Sequence, residues 1–558
     1  MVDRWQRYWF PAGGRWNAGV ARLAVAASAA LMLVRVRNHG LVTAPQDAPL
    51  DSYDAAGVLL LAGDVPPPAA IITACYALAW LGALGLLVGA WTRFSAAVAL
   101  VASLVVVSFT VSFTPDWPHD NNLPLLALVA VQGTRGGDVA GVDGWLRRRR
   151  GLPPPPANAY EWTPRLVQLV CALVFLSAFA SKLGHGRGTA AWALSDNLRH
   201  QILSQFDLNR LPRTALADWL LESPWRYRTA GVLNLVNQLL PIFAAVMVHR
   251  PRLRAAFGAA FAVEVLAIGV VMGLWNLHWL PLAAVFVDWD RLATWVRRRP
   301  ADATVPGGEP LAPRARRRVS AFIASFLAYD VLVSFMYPRI DQRLRTYPFS
   351  AFPMFAVIRA RQPYDVHLDY AFVHGRFRIV GAGAQTDEIE AWLHTTYAYR
   401  RLYRITDPEA LRARMARAFA DVRRRYPGAA VTAVQLWACI YHVPAYPAPA
   451  RLEPHDVGLM GELADDGTWT SGLGGAVVAE DGDAVVELRG PGRGHLSRLT
   501  LSLDSERAPR DLPFTRDGDR VRFHLPDAEV VLVTMHVRRA DGSPLALLLA
   551  RRTRKAWW

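Results

Sequence analysis

The stretch Phe179-Ala180-Ser181-Lys182-Leu183-Gly184-His185-Gly186 sets a lysine at the end of an apolar run. Lys182 and Lys555 are the only lysines in a chain that otherwise carries arginine at every basic position. Arginine keeps its charge in any protein environment, whereas a desolvated lysine can give up its proton and act as a base. Two readings are therefore open for Lys182: a base, or an interfacial anchor whose long stem snorkels. Other polar residues fall among apolar ones. Trp117-Pro118-His119-Asp120-Asn121-Asn122 forms a mouth between two apolar runs. Asn234, Asn237 and Gln238 share one helix face, because spacings of three and four point the same way. Glu264 is a carboxyl inside an apolar helix, and His185 follows Lys182. Each has a plainer reading as well: interhelical hydrogen-bond glue for the Asn/Gln group, an exposed interfacial histidine for His119, and pairing with Arg22 or a wet crevice for Glu264. His278, between Trp275 and Trp279, reads as part of an aromatic belt. Phosphate loops, zinc-ligand spacings and nucleophile elbows do not occur in the sequence, so nucleotide, metal and serine-hydrolase readings find no support in it.

The elements that must hold these residues are membrane helices. The chain has 558 residues and is 53% hydrophobic, with the apolar residues in blocks. A span needs about 20 such residues. Nine helices are expected, centred on 20–34, 70–90, 96–113, 123–131, 166–182, 232–248, 255–274, 277–287 and 319–337, the fourth and eighth short enough to be re-entrant or tilted. The first apolar run has no small-residue cleavage site behind it and reads as a retained helix. A net charge of +16 would suggest nucleic acid if it were spread over a surface. Here the arginines collect at helix ends: Arg4, Arg7 and Arg15, Arg93, Arg147 to Arg150, Arg250 to Arg254, and Arg297 to Arg299 with Arg316 to Arg318. With the N-terminus inside, every cluster falls on the cytoplasmic side, as the positive-inside rule requires. Lys182, His119, His185 and His278 then share the extracytoplasmic ends of their helices. The lipid bilayer is the expected partner, and nucleic acid is rejected. Cys75, Cys171 and Cys439 make no disulfide framework or metal pair, and no metal is expected.

The expected division is a helical membrane domain over 1–337 and a soluble extracytoplasmic domain over 338–558, of α+β or β-sandwich class. In the latter, Thr406-Asp407-Pro408-Glu409 is a helix start and Pro427-Gly428 a stop. The helix between them presents Leu411, Met415, Ala418, Phe419 and Val422 on one side. Short β-branched segments at 430–441, 484–488, 499–503, 521–525 and 530–537 read as strands.

Several of these motifs, in their order, resemble the transmembrane (HTTM) domain of the vitamin K-dependent γ-carboxylase family. Phe179-Ala180-Ser181-Lys182-Leu183, followed by Gly188 and Trp192, is similar to that family's A-G-x-x-K-L helix end with its tryptophan and glycine. Gly89-Ala90-Trp91-Thr92-Arg93-Phe94-Ser95 resembles its G-x-x-x-R-x-S turn, and Trp117 to Asn122 lies where it has W-N-N-H. The resemblance covers about half of the chain, from the second to the eighth helix. It implies a neutral lysine that deprotonates a reduced quinone (vitamin K or menaquinol), which reacts with oxygen to give a base strong enough to remove a glutamate γ-proton before carboxylation. On that reading Lys182 is the base and His119 or Asn122 stands in for the motif's histidine. Arg93, Trp117, Asn122, His185, Asn237 and Glu264 become the candidate quinone-binding residues, with Asn237 where relatives often carry an acid and Glu264 where a second histidine is expected. The resemblance implies a multi-pass membrane carboxylase or epoxidase whose acceptor is an extracytoplasmic peptide or protein, and the Arg/Ala-rich, Lys-poor composition points to a bacterial inner membrane. The alternative is a non-catalytic membrane scaffold presenting its C-terminal module to an envelope partner.

Overall fold

The structure is a computed structural model that describes residues 2–38, 40–47, 53, 55–63, 65–113, 119–153, 155–185, 189–207, 211–297, 310–336, 370–383, 385–396, 399, 402–405, 408–443, 452, 454–472, 477–480, 483–487, 496–503, 510–518, 520–524, 530–538, 544–553 and 556–557. Two compact units divide the chain: Met1–Leu194 with Arg228–Ile358, and Ser195–Tyr227 with Arg359–Trp558.

The N-terminal part is helical. Its helices are α1 (Val2–Trp9), α2 (Arg15–Arg37), α3 (Ala69–Val88), α4 (Thr92–Val111), α5 (Asn122–Ala130), α6 (Val142–Arg149), α7 (Trp162–His185), α8 (Ala191–Leu194), α9 (Asn197–Phe206), α10 (Ala215–Leu221), α11 (Pro224–Val246), α12 (Pro251–Met272), α13 (Trp289–Arg297) and α14 (Pro313–Met336). Among the described residues, α2, α3, α4, α7, α11 and α12 are six helices long and apolar enough to cross a membrane, the mark of a membrane-embedded chain. The ninth expected helix corresponds to α14, whose first turns carry Arg314 and Arg316 to Arg318.

The fourth and eighth expected spans are indeed short, and the reason is visible. Helix α5, nine residues long, would extend only about 13 Å, well below a bilayer core of about 30 Å, and is an interior helix buried along nearly all its length. Residues Leu277–Phe286 form a ten-residue 3₁₀ helix with Pro281 inside it. Such a length is unusual, because 3₁₀ hydrogen bonds are poorly aligned. Side chains of neighbouring helices meet its carbonyls: Ser28 Oγ donates to His278 O at 2.6 Å, Gln168 Nε2 to Val285 O, and Arg254 Nε to Phe286 O at 3.0 Å. Irregular backbone at membrane depth survives where protein groups satisfy it in this way.

One end of the helical unit is fixed by polar caps. Arg22 is fully buried, and its Nη1 donates to the carbonyls of Leu86 and Leu87 at 2.6 and 2.5 Å, where α3 loses its intrahelical partners. Gly89 ends α3 at φ 69°, and a Cβ there would lie 3.0 Å from Arg22 Nη1 and 2.9 Å from Gly141 Cα. Asp143 caps the next helix, accepting from the N–H groups of Trp91 and Thr92 at 2.7 and 2.9 Å and from Thr92 Oγ1 at 2.6 Å. Asp143→Ala removes all three bonds and is expected to lower stability by about 1–2 kcal/mol, the loss typical of a cap. Thermal unfolding in detergent measures it, and an unchanged midpoint would show the turn to be held by packing alone.

The C-terminal part is strand-rich and of α+β type. A nine-stranded sheet runs β1 (Tyr370–Ala382), β2 (Ala430–Val443), β3 (Pro454–Ala464), β12 (Pro544–Thr553), β11 (Val530–Arg538), β7 (Leu496–Leu503), β8 (Arg510–Asp511), with β4 (Trp469–Ser471) beside β3 and β13 (Ala556–Trp557) beside β12. A second sheet has the order β5 (Val477–Glu480), β6 (Asp483–Glu487), β10 (Arg520–His524), β9 (Thr515–Asp517). Helices α15 (Thr386–Thr395) and α16 (Pro408–Arg425) share a core with β1, β2 and β3. The buried residues of α16 include Leu411, Met415, Ala418, Phe419 and Val422, the side read from its periodicity. The expected cap at Thr406 and Asp407 lies outside the described residues. In the same unit, Asp207 accepts from Leu452 N at 2.9 Å and pairs with Arg213, which ties the α9–α10 segment to the C-terminal chain.

Candidate functional site

Lys182 ends an apolar helix, yet it does not reach outward to an interface. Its side chain is 2% exposed, and Nζ donates to Asn234 Oδ1 at 2.5 Å and to Gln238 Oε1 at 3.2 Å. The other ends of those amides turn to Glu264, which is 1% exposed. Asn234 Nδ2 donates to its Oε1 at 2.5 Å, Gln238 Nε2 to the same oxygen at 2.8 Å, and Asn237 Nδ2 to Oε2 at 2.9 Å. Lysine and carboxyl are thus linked through two side-chain amides from α11. Each amide has its oxygen toward the cation and its nitrogen toward the anion. Asn237 also donates to Ala260 O at 2.9 Å, which holds α11 against α12.

Packing of the helices makes this meeting possible. Phe175 on α7 lies against Phe261 on α12 at 5.2 Å between ring centroids, and against Trp279 at 6.1 Å. Lys182 stands two turns beyond Phe175, and Glu264 one turn beyond Phe261, on the same faces. An aromatic layer therefore underlies the polar group. Trp192 of α8 covers Lys182, with its ring centroid 4.1 Å from Nζ. Helix α8 comes this close because residue 231 of α11 is glycine: a Cβ there would sit 2.9 Å from Ala193 O and 3.0 Å from Ala193 Cα.

The plainer of the two readings of Glu264 pairs it with Arg22 or lays it in a wet crevice. Neither placement describes it: Arg22 caps α3, and Glu264 accepts three amide hydrogen bonds in a buried site. His278 is likewise no member of an exposed belt. It is buried, and Nε2 of His278 and Nε1 of Trp279 both donate to the carbonyl oxygen of Asp120, at 2.8 and 2.6 Å. The Asp120 carboxylate pairs with Arg35, which also donates to Trp275 O at 3.1 Å. His119 lies half-buried in the single 3₁₀ turn His119–Asn121, and Asn122 opens α5 fully buried. Trp117 lies outside the described residues, as do Gly186 and Gly188. For His185 only the backbone, the last residue of α7, is described.

Two ends of the helical unit can be told apart. At one, Asn17 Nδ2 donates to Glu161 just before α7, Asp290 accepts from Trp16 N and Asn17 N, and Asp143 caps α4. Arg93 belongs there, exposed beside Thr92. Lys182 lies about 30 Å further along α7 at 1.5 Å per residue, so Arg93 is not brought to it. Asp120 and Arg35 lie at the far end of α2, the end to which α7 carries Lys182. The candidates that converge are therefore Lys182, Asn237 and Glu264, joined by Asn234, Gln238 and Trp192. The spacing of Asn234 and Gln238 already pointed to them, but nothing local marks Trp192 as a ring over an amine.

The arrangement holds one proton between a buried amine and a buried carboxyl. Either the pair is ammonium and carboxylate, or it is amine and carboxylic acid. Both states are neutral overall, which suits an apolar setting where a lone charge is costly. Among the described residues no group of three His, Cys, Asp or Glu could hold a metal ion. No protein-family model, curated protein or solved structure matches the chain.

Proposed function

We propose that this protein is a membrane enzyme in which Lys182 is the base that takes a proton from a lipid-soluble quinol, in the manner of the vitamin K-dependent γ-carboxylase family. The buried Lys182–amide–Glu264 relay carries this reading. A membrane anchor has no use for a lysine turned inward onto two amides, and a purely structural pair has no need of lysine in a chain built with arginine. A base must be able to exist uncharged, which a lysine amine can do and a guanidinium cannot. Glu264 holds the proton when Lys182 is uncharged, and the three amides keep its carboxyl in place. The overall oxidation consumes the quinol and one oxygen molecule and yields the quinone epoxide and water. Coupled carboxylation of a glutamate in an extracytoplasmic peptide or protein is the extension that the resemblance implies. The direct test supplies reduced menaquinone and oxygen to the purified protein in detergent and measures epoxide by chromatography. Epoxide at no more than the protein-free rate would favour a non-catalytic scaffold.

Orientation belongs to the same proposal. The basic clusters at helix ends put the N-terminus in the cytoplasm and Lys182, with the C-terminal domain, outside it. A reporter active only in the periplasm, fused after Pro363, should be active, and one fused after Arg150 should be silent. The reverse pattern would move the site to the cytoplasmic face.

A further inference from the structure

An amine nitrogen at the end of a lysine has three directions besides its bond to carbon. At Lys182, two of them meet Asn234 Oδ1 and Gln238 Oε1, and the third meets the face of Trp192. Lys182 and Trp192 are each 2% exposed. A base in this state has no open side: a substrate hydroxyl has to arrive where the indole now lies. The contact is also selective in sign. The negative face of an indole attracts an N–H⁺ and repels the lone pair of an uncharged amine. The covered state is therefore the stored, protonated one.

We propose that Trp192 is the gate of Lys182: the indole leaves the amine when substrate enters, and a flat aromatic substrate ring takes its slot. This rests on reading Lys182 as the base. It assigns Trp192 a positioning role, because the tryptophan acts through the lysine rather than on the reacting atoms. The four-residue helix α8 is a suitable carrier, since it is short and touches α11 through the backbone of Ala193 at Gly231. Displacing one aromatic ring by another conserves apolar burial, so the exchange needs no water-filled intermediate.

The lysine economy of this chain gives a direct readout. With Lys182 and Lys555 as the two lysines of the chain, labelling of each by the apolar reagent dinitrofluorobenzene can be followed in its own peptide, in the full chain in detergent. The uncharged amine alone reacts. Lys182 of the wild type should label slowly relative to Lys555. Trp192→Ala should raise the Lys182 rate roughly ten- to thirtyfold, the worth of a desolvated cation–π contact. Trp192→Phe, which keeps an aromatic face, should restore slow labelling. Protection of the buried Cys171 on α7 from a thiol reagent reports that each variant is folded. If Trp192→Ala exposes Cys171, Gly231→Ala takes its place, because its Cβ pushes α8 away from α11 and should likewise speed labelling.

A wild-type Lys182 rate in whichever folded variant is used, or wild-type Lys182 labelling as fast as Lys555, overturns the gate. The outcome separates from that of the quinol reading. Faster labelling without any quinol turnover keeps the gate and removes the quinol. Unchanged labelling in a protein whose turnover requires Lys182 keeps the base and removes the gate.

Discussion

Lys182→Arg is expected to leave the protein in the membrane at wild-type level and to abolish the proposed quinol-dependent epoxide formation. The substitution keeps a cation with donors for Asn234 Oδ1 and Gln238 Oε1, and it keeps an attraction to the Trp192 face. Any role that needs only a positive charge opposite Glu264 is preserved. A base has to exist unprotonated, and a guanidinium with a pKa above about 12 does not. Removing a general base typically lowers a rate by about 10²–10⁴-fold, and here the base begins the reaction, so no residual route is expected. Lys182→Met fills the stem volume without a titratable nitrogen and should be equally inactive. Epoxide formation normalised to folded protein is the measurement. An arginine variant turning over at the wild-type rate would make Lys182 a structural cation, and the proposed chemistry would fall with it.

The second large effect concerns stability. Glu264→Leu removes the acceptor of three amide hydrogen bonds and strips Lys182 of the carboxyl that its two amide partners reach among the described residues. Breaking one side of a buried charge pair costs about 3–5 kcal/mol, because the remaining charge is left uncompensated. The amides suffer too, since buried donors without acceptors keep their desolvation penalty. Glu264→Gln should fall between wild type and leucine. Its oxygen can serve Asn234 and Gln238, but its nitrogen then meets Asn237 Nδ2, which its bond to Ala260 O holds in place. Lys182→Met combined with Glu264→Leu should recover much of the loss, because removing both charges leaves no orphan ion. Unfolding midpoints in detergent for wild type, Lys182→Met, Glu264→Leu and the double variant form the cycle. If Glu264→Leu alone were as stable as wild type, lysine and glutamate would not be energetically linked.

Local pattern was enough for much of the architecture. Runs of about 20 apolar residues mark helices because each peptide group must bond within its own segment in a bilayer. That logic located α2, α3, α4, α7, α11 and α12. In α16, proline in the first turn, one apolar face and Pro427-Gly428 after the end define a helix from nearest-neighbour preferences alone. The β-branched segments that form β2 and β11 likewise need no distant partner to be seen. Asn234, Asn237 and Gln238 could be put on one face by spacing, and Lys182 stood out by its rarity.

Contacts across long sequence separations were decided by the tertiary structure. Lys182 and Asn234 are 52 residues apart, and Asn234 and Glu264 are 30 apart. Nothing local tells an intramembrane glutamate whether its partner is an arginine, water or an amide, because each satisfies a carboxyl. Packing chose: Arg22 was taken by the open end of α3, and the Phe175–Phe261 contact set Glu264 opposite the amides of α11. The 3₁₀ form of Leu277–Phe286 followed the same rule, since its carbonyls depend on Ser28, Gln168 and Arg254 from three other helices. Trp192 over Lys182 depends on a missing Cβ at Gly231, a steric allowance that exists only once α8 and α11 have met. Composition and periodicity specify which faces must be buried; which polar groups then share the interior is settled by the shapes that close over them.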